Sequence, residues 1–216
     1  MKDQTHILFD LDGTLTDPAP GITNSIMFAL KKAGMHVGPR EEYYKFIGPP
    51  LVDSFCRFCG ADHDTALLLL KYYREYFSVT GLFENAMFPG IPDMLDKLKN
   101  AGYTLAVATS KPEGFSCRIL EHFGIFDRFA FVAGSTLDES RSTKAEVITW
   151  ALENLGIAPD RAVMVGDREH DILGARQQHL GKSVGVLFGY GSRNELESAG
   201  ADFIAADIDE LTAVLL

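Results

Sequence analysis

The stretch Ile7-Leu8-Phe9-Asp10-Leu11-Asp12-Gly13-Thr14-Leu15-Thr16-Asp17 decides how the rest of the chain is read. It opens as a short apolar run, Ile7–Leu11, and breaks at a turn marked by Asp12 and Gly13. Four more runs of similar length follow: Thr104–Thr109, Phe129–Ala133, Ala162–Val165 and Ser183–Phe188. Most are rich in β-branched residues or alanine and are bounded by Gly or Asp, as buried strands are. The segments between them carry helical periodicity. Val147, Ile148, Ala151, Leu152 and Leu155 form one stripe, and Ile172 with Ala175 begins another. Strands alternating with helices, each strand apolar almost throughout, predict an α/β fold with a parallel sheet covered on both faces.

One region breaks the alternation. From about Pro18 to Asn85 only helical patterns appear, with Ile22, Ile26, Ala29, Leu30 and Ala33 on one stripe and Ala66, Leu69, Leu70, Tyr73 and Phe77 on another. The reading is a helical insert over 18–85 between the first two strands, with the core made of 1–17 and 86–216. Pro18–Pro20 and Phe88–Gly90 are the places where the insert leaves and rejoins the core.

Composition excludes several function classes. Of the 216 residues, 46% are hydrophobic, too many for a disordered chain. Lys and Arg number 20 against 30 Asp and Glu, a net charge of −10 with no concentrated basic patch, so neither a nucleic-acid polymer nor an anionic membrane is an expected partner. No apolar run approaches the roughly 18 residues that span a bilayer, and the apolar stretch nearest the start is too short for a signal peptide. A cytoplasmic protein is expected. Cys56 and Cys59 form a C-x-x-C in an apolar helical segment without a second pair, and they read as core residues rather than a metal or redox site.

The chemistry gathers where strands end, the edge at which open α/β sheets bind ligands. Asp10 and Asp12 sit two apart and share one face if the strand stays extended, unless the turn at Gly13 re-aims Asp12; two neighbouring carboxylates repel unless a cation lies between them, and oxygen ligands of this kind suit Mg²⁺. The second strand runs out into Thr109-Ser110-Lys111-Pro112, and the fourth into Gly166-Asp167-Arg168-Glu169-His170-Asp171. Taken singly, Ser110 and Asp167 read as helix caps. Three strands ending in hydroxyls and carboxylates at one edge of a sheet point instead to a site. Thr143-Lys144-Ala145-Glu146 reads as a capping box, which puts Lys144 at the positive end of a helix dipole, a position explained by an anion in front of it, the alternative being a solvated surface lysine.

These motifs, D-x-D-G-T at Asp10–Thr14, Thr109, Lys144 and G-D-x-x-x-D at Gly166–Asp171, resemble the four motifs of the haloacid dehalogenase (HAD) superfamily, in order and across essentially the whole chain. The insert resembles the small helical cap of the phosphoglycolate phosphatase-like branch. Phe46–Pro50, Ala108–Pro112 and Gly189–Arg193 look most like a subgroup described as 5′-nucleotidases. The resemblance implies a HAD-like Rossmannoid core with a helical cap, and a Mg²⁺-dependent phosphatase acting on a small phosphorylated metabolite. It implies that Asp10 attacks phosphorus and that Asp12 protonates the leaving alcohol and then activates water. Thr109, Lys144 and the Ser110 amide would bind phosphoryl oxygens. Asp10, Asp167 and the backbone carbonyl of Asp12 would hold the metal, with Asp171 orienting its shell.

Lesser features take plainer readings. His170 is an exposed first-turn residue rather than a base, Ser192 a helix cap. Gly189-Tyr190-Gly191 is no dinucleotide loop, because Asn194 stands where the third glycine belongs. Lys45, Arg57 and the Gly48–Pro50 turn of the insert are candidates for choosing substrate. A phosphomutase and a non-catalytic phosphometabolite-binding protein are the alternatives. A cap that covers the site makes a monomer sufficient.

Overall fold

The structure, a computed structural model, describes residues 3–138 and 140–216. In chain order it runs β1 (His6–Phe9), β2 (Thr16–Asp17), α1 (Ala19–Lys32), α2 (Leu51–Cys59), α3 (His63–Tyr76), β3 (Ala86–Met87), α4 (Ile91–Asn100), β4 (Thr104–Pro112) and α5 (Glu113–His122). It continues with β5 (Phe131–Ser135), α6 (Lys144–Leu155), β6 (Ala162–Gly166), α7 (Glu169–Gln177), β7 (Lys182–Val186), α8 (Arg193–Ala199), β8 (Phe203–Ala205) and α9 (Ile208–Leu215). The chain separates into two units, Met1–Asp17 with Met87–Leu216, and Pro18–Ala86.

The first unit is built on a parallel six-stranded sheet in the order β5-β4-β1-β6-β7-β8. Its alternating strand residues fill two cores. Leu8, Ala106, Ala108, Ala133, Ala162 and Met164 form one face, on which Val147, Ile148, Ala151 and Leu152 of α6 pack. Four of the six strand residues of this face are alanines, and α6 supplies the larger side chains. On the opposite face Phe9 meets Phe129 edge-on, ring centroids 6.5 Å apart.

The sheet order places β1 between β4 and β6, so the chain grows first to one side of β1 and then to the other. That reversal is the topological switch point at which such sheets open a crevice beyond their carboxyl ends. Phe9 is in register with both Val107 and Val165. Asp10, Thr109 and Asp167 therefore fall at one edge, one or two residues past the paired positions.

Strand limits differ from the sequence reading where local turns intervene. The run after α5 enters the sheet at Phe131 rather than Phe129, because a 3-10 turn occupies Phe126–Arg128. The second strand extends through Pro112, with a register irregularity between Ala108 and Pro112. Ser110 therefore lies inside a strand and caps nothing; Pro112 precedes α5 without a side-chain cap. β8 and the short β2 and β3 escaped the sequence reading, being three and two residues long.

The second unit contains α1, a 3-10 segment Arg40–Phe46, α2, α3 and a π-turn Phe77–Gly81. Ile22, Ile26, Ala29 and Leu30 of α1 are buried, as are Ala66, Leu69, Leu70 and Tyr73 of α3. Phe46 fills the space against Phe55 and Phe58, 5.5 and 5.2 Å between centroids. Lys45 and Arg57, the cations singled out in this segment, both lie over the Phe58 ring, at 4.8 and 5.3 Å. Cys56 and Cys59 are free and half-buried rather than core residues.

Candidate active site

Asp10, Asp12 and Asp167 lie just beyond the ends of β1 and β6, Thr109 and Ser110 within β4, and Lys144 and Asp171 in the first turns of α6 and α7. Asp10 follows β1 directly, its backbone N–H donating to the Val165 carbonyl at 2.8 Å, which locks the end of β1 to β6. Beyond it the chain turns tightly: Gly13 N–H donates to the Thr16 carbonyl at 2.7 Å, and Gly13 itself has φ +84°, a conformation natural to glycine.

Lys144 begins α6 through the expected capping box. The Thr143 hydroxyl accepts from Glu146 N–H at 3.3 Å, and the Glu146 carboxylate accepts from Thr143 N–H at 2.9 Å. It is no surface lysine. Only 6% exposed, its ammonium lies 2.8 Å from Asp10 Oδ1 and 2.8 Å from Asp171 Oδ1, and it donates to the Ala108 carbonyl at 3.0 Å. One side chain thus ties together the residue after β1, the middle of β4 and the first turn of α7. Burial alone would lower its pKa, but Asp10 and Asp171 outweigh burial and hold it above the ordinary lysine value.

Asp167 is completely buried. Its Oδ2 accepts from Tyr190 N–H at 2.7 Å, while Oδ1 is buried with no hydrogen-bond partner. It caps no helix. Asp171 instead serves the start of α7, accepting from Arg168 N–H at 3.1 Å through Oδ2. Glycines surround both acids. A Cβ on Gly13 would lie 2.2 Å from Asp167 Oδ2, one on Gly191 would lie 1.8 Å from the Asp167 carbonyl oxygen, and one on Gly166 would lie 2.1 Å from Asp171 Cγ. Gly174 similarly leaves room for the Lys144 stem.

The carboxylates of Asp10, Asp167 and Asp171 each place an oxygen within 4.8 Å of the others, all buried. Burial first, and repulsion from Asp171 and Asp10 second, push Asp167 well above the usual carboxylate range. Burial likewise raises Asp171 to about 6, against the pull of Lys144. Counting Asp12 and Lys111, four buried carboxylates accompany two buried ammoniums, leaving a formal charge of −2. A hard divalent cation fits this set: it gives the otherwise unpartnered Asp167 Oδ1 an ion to coordinate, cancels the residual charge and finds oxygen donors.

The side chain of Asp12 stands apart from that trio. Its Oδ2 pairs with Lys111 Nζ at 2.7 Å and its Oδ1 is buried without a hydrogen-bond partner. Burial raises its pKa, with Lys111 opposing. Thr109 is buried at the same edge, where its hydroxyl accepts from Lys111 N–H at 3.3 Å, and Ser110 is half-buried beside it.

Sequence reasoning did not single out Lys111 or Tyr190 as site residues. Lys111 was visible as the second residue beyond Thr109 on an extended strand, hence on the same face. Tyr190 contributes its backbone N–H to Asp167, and its phenol donates to Asp17. His170 is half-buried, with its pKa lowered chiefly by burial. Ser192 caps α8, as expected.

Comparison with known proteins identifies the family. Residues 7–184 match the model of the haloacid dehalogenase-like hydrolases. A 5′-nucleotidase of Pseudomonas aeruginosa is 44% identical over 210 residues, covering 97% of this chain and 95% of the relative. A protein of Mycobacterium tuberculosis named tyrosine-protein kinase PtkA is 40% identical over 211 residues, 97% of this chain and 72% of its own length. The crystal structure of a predicted phosphatase from Clostridium acetobutylicum superposes with a TM-score of 0.95 at 46% identity, covering 98% of each chain. The chain therefore belongs to the haloacid dehalogenase-like hydrolases, and to the phosphatases among them.

Proposed function

We propose that this haloacid dehalogenase-like phosphatase hydrolyses a small phosphomonoester through an aspartyl-phosphate on Asp10. The observation that carries the reading is the buried trio Asp10, Asp167 and Asp171 with Lys144 between two of its members. Asp10 is the nucleophile, held at the strand end by its backbone bond to Val165. Lys144 and Thr109, with the Ser110 amide, bind the oxygens of the transferring phosphoryl group. Asp12 gives a proton to the leaving alcohol and afterwards takes one from the attacking water; burial, which raises its pKa, favours the protonated form that the first step needs. Asp10, Asp167 and the Asp12 carbonyl would hold Mg²⁺, with Asp171 orienting that shell. Bound there, Mg²⁺ supplies neutralisation of the charge on the phosphoryl oxygens.

The substrate class is a nucleoside 5′-monophosphate or another small ester such as 2-phosphoglycolate. The name of the Pseudomonas relative favours the nucleotide. Pro18–Ala86 acts as the cap that selects it and excludes water before attack. A monomer acting in the cytoplasm completes the proposal; among the described residues no helix is long and apolar enough to cross a membrane.

Phosphate release from a panel of these esters, with Mg²⁺ and with EDTA, tests the reading. Metal-dependent release that vanishes in folded Asp10→Asn supports it. Undiminished release from Asp10→Asn would remove Asp10 as nucleophile, and ligand binding without release would leave a phosphometabolite-binding protein.

A further inference from the structure

Lys111 is the second buried cation at the strand ends, and the reaction as proposed leaves it without a task. Its ammonium lies 2.7 Å from Asp12 Oδ2, and the two side chains are 5% and 11% exposed. The other oxygen of that carboxyl, Oδ1, is buried with no hydrogen-bond partner. The two oxygens of Asp12 are therefore unequal: one is anchored and one is left to exchange protons. The anchor comes from β4, whose pleat buries Thr109 and Lys111 on one face while Ser110 and Pro112 remain half-buried. The strand that presents the phosphate-facing threonine also carries the group that grips the acid.

We infer that Lys111 is a positioning residue, pinning Asp12 through Oδ2 so that Oδ1 delivers and collects the proton. The inference rests on the general acid–base role proposed for Asp12. In the first half-reaction an Asp10 oxygen bonds to phosphorus as the bond to the leaving oxygen breaks. The electron pair stays on that oxygen, which takes the proton from Asp12 Oδ1. In the second, Oδ1 takes a proton from water as the water oxygen bonds to phosphorus. The bond between phosphorus and the Asp10 oxygen breaks, and the Asp10 carboxylate is regenerated. Lys111 keeps its own proton throughout. A carboxyl free to rotate would lose the alignment on which positioned proton transfer depends.

Lys111→Met removes the anchor while filling much of its volume. The readout is kcat/KM on an alkyl phosphate that the native enzyme hydrolyses and on 4-nitrophenyl phosphate, whose leaving group departs without being protonated. This parameter ends at the first cleavage, so it isolates the acid step. The alkyl ester should lose about 30- to 100-fold and the nitrophenyl ester less than about threefold, the difference reflecting general-acid assistance. In an Asp12→Asn background, single-turnover release of 4-nitrophenolate should change by less than about twofold when Lys111→Met is added. Equal losses on both esters in a folded variant would make Lys111 a structural prop and overturn the inference. A loss that persists in the Asp12→Asn background would make it a direct ligand of the substrate and overturn it as well. Where Lys111→Met does not fold, Lys111→Gln replaces it. Its amide still donates toward Oδ2, and the same asymmetry between esters is expected in smaller measure. Asp10→Asn keeps the two proposals separable. Turnover retained there removes the nucleophile whatever Lys111 does, whereas Asp10-dependent turnover without asymmetry removes only the positioning role.

Discussion

Replacing Lys144 by methionine tests the electrostatic logic of the site most directly. The native lysine is 6% exposed, and its ammonium lies 2.8 Å from both Asp10 and Asp171. Methionine keeps most of the stem and removes the charge, leaving three mutually close carboxylates without that cation. Removing one partner of a buried ion pair costs about 3–5 kcal/mol. For a chain of this length each kcal/mol moves the unfolding midpoint by about 2–4 °C, so in EDTA near neutral pH the midpoint should fall by roughly 6–20 °C. The loss should shrink at about pH 5, where carboxylates pushed up by burial take protons instead of repelling one another. Mg²⁺ should restore part of it, because a divalent cation replaces the missing charge among the same oxygens. Thermal unfolding followed by circular dichroism gives all three numbers. Phosphate release in the refolded or Mg²⁺-stabilised variant should fall by about 10²-fold or more. A midpoint within about 2 °C of native in EDTA would refute the reasoning, since it would mean the trio needs no lysine to coexist.

Three further outcomes follow from the same geometry. Asp171 is raised from 3.8 to about 6 on folding, so between about pH 4 and 6 the metal-free folded form holds more protons than the unfolded chain. Its contribution to stability therefore declines as pH rises through that window; subtracting an Asp171→Asn melting series in EDTA from the native series should show the decline, and a flat difference would contradict it. Gly13→Ala combines a φ of +84° with a Cβ 2.2 Å from Asp167 Oδ2. It should cost about 1–3 kcal/mol and abolish the rise in unfolding midpoint on adding Mg²⁺; a preserved Mg²⁺ response would show that Asp167 tolerates displacement. Thr143→Ala deletes the cap of α6 and should cost about 1 kcal/mol in denaturant unfolding, while leaving far more turnover than Lys144→Met.

Much of the architecture was legible because the strands are buried on both faces and announce themselves as unbroken apolar runs. The edge of the site was legible for a related reason. A parallel sheet ends all its strands in one direction, so Asp10, Thr109 and Asp167 had to meet if those runs paired in register. What escaped depends on atoms that a motif does not display. Tyr190 serves Asp167 through a main-chain N–H, which any residue but proline could supply, so the side chain gave no signal. Ser110 looked like a cap because a Pro follows two residues later, yet the strand continues past it with an irregular register. Lys144 was expected at a helix start, but its burial depends on Gly174 of the next helix, a contact between segments thirty residues apart. The 3-10 turn at Phe126–Arg128 shifted a strand by two residues, since Asp127 is the one residue in it with a turn signature.

The glycines around Asp167 and Asp171 carry a lesson about how this site would respond to exhaustive mutagenesis. Gly13, Gly166 and Gly191 offer no proton, charge or ligand, yet the space each leaves open is filled by an atom of one of these two aspartates. A substitution survey would score them as intolerant as the aspartates themselves, and a search for reactive groups would pass over them. Part of what makes the site precise is carbon that is missing. A redesign that altered the chemistry while keeping the aspartates would still be confined to the volume those hydrogens leave.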